Sequence, residues 1–264
     1  MTGRRRAALA VALCLVTLTG SCAASAEDIR GRVDDLPGVV EVRVPKNGGE
    51  ADIPFSRPAH RAKIVMVNDA TAEQILAVFE ALGDDVDDDD LTGIELGFLD
   101  DDSATLTTGA STRATQRMAE ELVEARDDPD VVAYARTAAP VLREVYVELD
   151  DPGLEPALAA ADSYLGRPDI TSVTVVAGGF LLIRDRVNGR PALAAARERL
   201  ALAVDREIGL TGAAVTGRGT LKLCATLEDV ASVKGYLEQR PGVGDTEPVG
   251  VVAATAKACG DIYL

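Results

Sequence analysis

The sequence predicts an α+β protein made of two tandem split β-α-β units, each built on an antiparallel sheet. Two observations carry this. The spacing of apolar residues switches between alternation and a 3.6-residue period in the same order in both halves. The order in each half is strand, helix, strand, strand, helix, strand. A third, smaller sign is an echo: Leu91-Thr92-Gly93 leads into the second strand of the first half, and Leu210-Thr211-Gly212 does so in the second.

In the first half, residues 64–67 read as a strand. Thr71 stands three places before Gln74, a capping-box spacing, ahead of Ile75, Leu76, Phe79 and Leu82 on one helical stripe. Residues 94–99 and 104–108 read as strands joined through Asp100-Asp101-Asp102-Ser103. A helix follows Ser111 with Met118, Leu122 and Ala125 inward, and the strand of Val145 and Val147 closes the unit. A Pro-Gly or Pro-Asp step introduces further strands at 39–44 and 172–177.

In the second half, residues 180–183 form a strand and Pro191 opens a helix with Leu193, Ala196, Leu200 and Val204 on its stripe. Residues 213–216 and 220–225 are strands around Gly217-Arg218-Gly219. Thr226 caps a helix carrying Val230, Val233 and Leu237, and 249–256 is the last strand. Leu154, Leu158, Ala161 and Leu165 line one more helix between the halves. This order is that of the ferredoxin-like fold, so the domains are expected at 36–150 and 151–264, with a seam near Asp150-Asp151-Pro152-Gly153. Strands apolar on both faces need a second cover, so the halves are expected to pack sheet against sheet or against the helix of Leu154, Leu158, Ala161 and Leu165.

The 264 residues hold 27 Lys plus Arg against 43 Asp plus Glu, a formal net charge of −16. Such a chain has no stretch able to neutralise many phosphates, and aromatics are only 3% of it, so a nucleic-acid partner is not expected. The single histidine, His60, removes many acid–base schemes and most zinc sites.

The opening is an address. Arg4, Arg5 and Arg6 precede an uncharged, mostly apolar run over 7–18, too short for a membrane span of about 20 residues. Thr19-Gly20-Ser21-Cys22 then resembles a bacterial lipobox, with Thr19 where an aliphatic residue is usual. The resemblance implies a signal peptide over 1–21, a lipidated, palmitate-bearing Cys22 as first mature residue, and a spacer over 22–35. The membrane is then a partner through Cys22, at the extracytoplasmic face of the cell membrane. Ala24-Ser25-Ala26 offers ordinary secretion as the alternative. Export also favours a disulfide, and Cys224 and Cys259 are the remaining pair.

Six carboxylates crowd Asp84-Asp85-Val86-Asp87-Asp88-Asp89-Asp90. Asp85, Asp87 and Asp89 have the first spacing of a calcium loop, which makes calcium the one cofactor the sequence suggests. Asp90 stands where the turn needs glycine and Leu96 where a bidentate Glu belongs, so a solvated loop is the ordinary reading. Arg184 and Arg186, after a strand, are candidates for an anion. No nucleophile elbow or nucleotide loop is present.

The expected function is therefore a lipid-anchored binding or assembly protein of the bacterial cell envelope, with an envelope protein or a small ligand as partner. The alternatives are an extracellular hydrolase using paired carboxylates and a calcium-binding surface protein. An enzyme should gather acids of raised pKa across a pocket. A binding module should present a face or groove instead.

Overall fold

In the computed structural model, eleven strands hydrogen-bond in chain order in one mixed sheet, β1 at one edge and β11 at the other. The structure describes residues 25–44, 60–84, 91–100, 103–109, 112–140, 142–186, 191–239 and 249–253. The strands are β1 Val39–Arg43, β2 His60–Met66, β3 Leu91–Phe98, β4 Ala104–Gly109, β5 Val131–Ala138, β6 Arg143–Leu149, β7 Ser172–Ala177, β8 Phe180–Asp185, β9 Gly212–Val215, β10 Leu221–Ala225 and β11 Val249–Ala253. The helices are α1 Ala26–Val33, α2 Ala72–Ala81, α3 Gln116–Asp127, α4 Leu154–Leu165, α5 Pro191–Ile208 and α6 Val230–Glu238.

Helix starts follow local chemistry. Ser25 caps α1 and Thr71 caps α2, each closing a capping box, with Asp28 and Gln74 returning to the cap backbone. Thr115 caps α3 through the Met118 amide. Gly178 and Gly179 turn β7 into β8 at positive φ, which residues with a Cβ adopt only with strain.

Five strand–helix–strand steps build the sheet. Within each, the two strands are parallel neighbours: β2 with β3, β4 with β5, β6 with β7, β8 with β9, β10 with β11. The other junctions are antiparallel. The buried stripes of all six helices and the inward strand residues form one continuous core, from Ile29 and Val33 on α1 to Val233 on α6. A second, smaller apolar cluster lies on the opposite face. Leu181, Ile183, Ala214 and Cys224 form it with Val176 against them, and every member belongs to a strand.

Two antiparallel ferredoxin-like units are not what forms. The chain order β-α-β-β-α-β is present, but a split arrangement needs each crossover to skip a strand. Here each crossover lands beside the strand it left, so no slot opens and the sheet grows sideways as a mixed sheet. It also runs unbroken past position 150, because β6 pairs with β7 from Glu144↔Ser172 to Leu149↔Ala177. The halves meet edge to edge, not sheet on sheet.

The expected Cys224–Cys259 disulfide falls only half within the described residues. No pair of sulfur atoms at bonding distance stands among the described residues, of which Cys224 is the one cysteine, and Cys259 lies outside them. Cys224 is fully buried in the strand-only cluster beside Ala214 and Leu181.

Candidate functional site

Two arrangements gather polar chemistry, one on each face of the sheet. The first is buried. Arg136 points inward from β5, between Leu106 on β4 and Val145 on β6, and is 2% exposed. Its guanidinium donates to Glu121 on α3 and to Asp169, which follows α4. Glu121 also meets Arg117 at 3.2 Å and Arg167 at 2.6 Å. Burial works against the charge on Arg136, but Glu121, Tyr134 and Asp169 more than offset it and hold its pKa above the usual value. Burial also opposes the charge on Asp169, and the bond from Arg136 overrides it, keeping that carboxyl below its ordinary range.

Tyr134 sits two residues before Arg136 on the same face. It is 1% exposed, burial pushes its hydroxyl pKa up, and that hydroxyl has no hydrogen-bond partner among the described residues. Its ring lies 6.1 Å from that of Tyr164, over which Arg167 is placed at 5.0 Å. A cavity of about 100 Å³ opens beside this cluster, lined by Glu121, Glu124, Asp128, Tyr164 and Arg167 among others.

Arg184 on β8 repeats the device, joining Asp162 of α4 and Glu198 of α5. Burial raises the pKa of Glu198 despite Arg184, and Asp162 adds to the rise. Arg186 donates to the carbonyls of Leu165, Arg167 and Ile170. The anion site expected at these two arginines is therefore taken by the protein's own acids and carbonyls. The buried pair of Arg136 with Glu121 fixes α3 to the sheet, and losing one partner of such a pair costs several kcal/mol.

The second arrangement lies on the face against which none of the described helices packs. Register aligns one outward residue from each of eight successive strands: Arg43, Lys63, Glu95, Thr107, Thr137, Glu144, Ser172 and Asp185. All eight are polar. At one end Glu95 pairs with Lys63 at 3.1 Å and Arg61 at 3.3 Å. At the other, Asp185 accepts from Ser172 Oγ at 2.8 Å and from the Gly217 amide at 2.9 Å. Partial burial raises the Glu144 carboxyl above its ordinary range, and Asp185, two strands away, adds to it. Next to this row stand Thr105, Ala135, Tyr146, Thr174 and Ile183.

The expected calcium ligands Asp85, Asp87 and Asp89 lie outside the described residues, as does Cys22. Among the described residues no group of three or more His, Cys, Asp or Glu is placed to hold a metal. His60 opens β2 opposite Leu91. Sequence reading missed both arrangements. Glu121 and Arg136 are 15 positions apart on elements that only the fold brings together. The polar row exists only once register is set, because its members span 143 positions and each belongs to a different strand.

Glu144 and Asp185 do not line the 100 Å³ cavity. Nor do they line the larger one of about 370 Å³ at the β7–β8 turn, bounded by Pro152, Gly178, Phe180, Asp205 and Thr211 among others. No helix of the described residues is long and apolar enough to cross a membrane. Comparison with family models, with curated proteins and with solved structures finds no match to this chain.

Proposed function

We propose that the chain is an exported, lipid-anchored binding or assembly protein of the bacterial cell envelope, tethered through Cys22 at the extracytoplasmic face of the membrane. Its working surface is the helix-free face of the sheet. The observation that carries this reading is the polar row from Arg43 to Asp185, which spans eight strands on a face against which none of the described helices packs. With strands about 4.8 Å apart the row is about 34 Å long, enough for a macromolecular contact.

A hydrolase reading finds less support. The one carboxyl of raised pKa with an acidic neighbour on this face, Glu144, stands on an open strand surface. The buried Glu121 and the part-buried Glu198 are engaged by arginines. The basic leader, the short apolar run and Gly20-Ser21-Cys22 supply the export and tether. Two acyl chains hold where one is marginal, at about 0.8 kcal/mol per buried CH₂.

The test is expression in a bacterium that processes lipoproteins. The wild type is expected in the membrane fraction with a lipid-modified Cys22. Cys22→Ala is expected to move to the soluble exported fraction or to remain as unprocessed precursor. An intact mass for the wild type corresponding to an unmodified chain starting at Glu27 would overturn the tether in favour of ordinary secretion.

A further inference from the structure

We infer that residues 254–264, which follow β11, lie across the sheet over β8, β9 and β10 and cover the strand-only apolar cluster. The observation is a change of burial along one face. From β4 to β7 every outward residue is at least partly exposed, down to the small Ala133 and Ala135 of β5. At β8 this stops. Leu181 and Ile183 are 9% and 7% exposed, and Ala214 on β9 and Cys224 on β10 are 0%.

Ala135 and Ala214 make the comparison close. Both are outward alanines of interior strands, yet one meets water and the other does not. Neighbours within the sheet do not account for it, because Ala135 stands beside Tyr146 much as Ala214 stands beside Ile183. None of the described helices packs on this face. The cover therefore comes from chain outside the described residues.

Reach and composition name the segment. Strands lie about 4.8 Å apart, which puts β8 about 29 Å from β2 and about 14 Å from β11. Residues 45–59 join β1 to β2 and would have to run out and back, about 58 Å, beyond the roughly 53 Å they span when fully extended. Residues 22–24, which precede the described chain once the leader is removed, start at the β1 edge beside α1. Residues 187–190 leave β8 at its Asp185 end for α5 on the other face. Residues 240–248 join at the Val249 end, and Val243 is their one large aliphatic side chain.

Residues 254–264 start where the cluster starts. Val252, two places before them, is the register partner of Cys224, Cys224 pairs with Gly212, and Gly212 with Leu181. The cluster thus runs straight away from the end of β11. Extended, the segment spans about 36 Å, more than twice the distance from β11 to β8. Its Ala256, Ala258, Ile262, Tyr263 and Leu264 supply apolar surface for the cluster. Taken with the reading of this face as the working surface, on which only this consequence rests, the area left for a partner runs from β1 to β7.

The measurement is hydrogen exchange, read by mass spectrometry, on the full mature chain carrying Cys22→Ala and purified from the exported fraction. Amides of 254–264 are expected to exchange about tenfold or more slowly than those of the same segment as a free peptide. Ile183→Glu sets a charge beneath the segment and is expected to abolish that protection. Val65→Glu, on the same face at β2, is expected to leave it unchanged. A photo-crosslinking phenylalanine analogue in place of Tyr263 is expected to mark, within one chain, peptides from 180–185 and 212–225. Circular dichroism confirms that each variant is folded, and should Ile183→Glu fail to fold, the crosslink decides. A segment that exchanges as fast as the free peptide overturns the cover, as do crosslinks that fall outside β8 to β10. Protection lost equally in Val65→Glu and Ile183→Glu overturns it too, and protection of 240–248 in place of 254–264 gives the cluster to that connection instead. None of these results bears on the tether at Cys22, which intact mass and fractionation read separately.

Discussion

Arg136 and Glu121 meet with almost no access to water: the guanidinium donates to the carboxylate, with 2% and 4% of the two residues exposed. One comes from the fifth strand and the other from the helix before it, so the pair fixes α3 onto the sheet. Arg167 and Asp169 extend the same cluster to the chain after α4. Three arginines, counting Arg117, thus share two acids, and the whole depends on each charge having its partner.

Removing the central cation should show this. Arg136→Met keeps most of the volume but leaves Glu121 and Asp169 without their shared donor. Breaking a buried pair in this way costs about 3–5 kcal/mol. In urea the midpoint should fall with the slope unchanged, the sign of lost stability without a change in the surface exposed on unfolding. A loss below about 1 kcal/mol would mean that the cluster is not a clamp.

Asp169 gives the same cluster a pH signature. Burial alone would raise its pKa, but the bond from Arg136 lowers it below the ordinary 3.8. A folded-state pKa below the unfolded one contributes stability that is present above the unfolded value and is lost as pH falls through the folded one. Asp169→Asn should therefore be less stable than wild type by a constant amount at pH 6 and 5. The gap should narrow below about pH 3.8. Unfolding curves between pH 6 and 2 check this, and a gap that widens toward acid would refute the pairing.

These residues also explain what the sequence made legible. Helices announced themselves because their signals are local: Thr71 with Gln74, and an apolar stripe behind them. Strand β5 gave no such sign. Its inward positions are Tyr134, Arg136 and Ala138, and a buried arginine reads as a break in alternation, so the apolar pattern closes the unit on Val145 and Val147 of β6. Alternation also says which face of a strand is buried and nothing about which strand lies beside it. Nothing in the patterns of β6 and β7 distinguishes neighbours in one sheet from members of two. The polar row shares this property, since Thr107, Thr137 and Glu144 are ordinary outward residues until register places them side by side.

The cap on α2 is a smaller quantity. Thr71 Oγ1 accepts from the Gln74 amide at 3.4 Å, and Gln74 returns to the Thr71 amide at 2.9 Å. Thr71→Ala removes the hydroxyl and leaves the amide without its acceptor at the helix start. The expected loss is about 0.5–2 kcal/mol by urea unfolding, with Thr71→Ser recovering most of it.

Glycine meets two different demands at the turn from β7 to β8. Gly178 and Gly179 both have positive φ, +54° and +89°. Their surroundings differ. A Cβ on Gly178 would lie 2.3 Å from Pro152 Cβ and 2.7 Å from Pro152 Cα, whereas a Cβ on Gly179 would meet nothing within 4 Å. Pro152 precedes Gly153, whose amide donates to the Ala177 carbonyl at 3.1 Å, so the contact ties the start of α4 to the end of β7. Gly179→Ala should cost only the backbone strain of a left-handed residue, about 1 kcal/mol. Gly178→Ala carries the same strain plus the displacement of Pro152, and should cost at least about 2 kcal/mol more than its neighbour's substitution. Thermal and urea unfolding of the two single variants measures the difference. Equal losses would show that Pro152 yields freely and that the turn alone demands glycine.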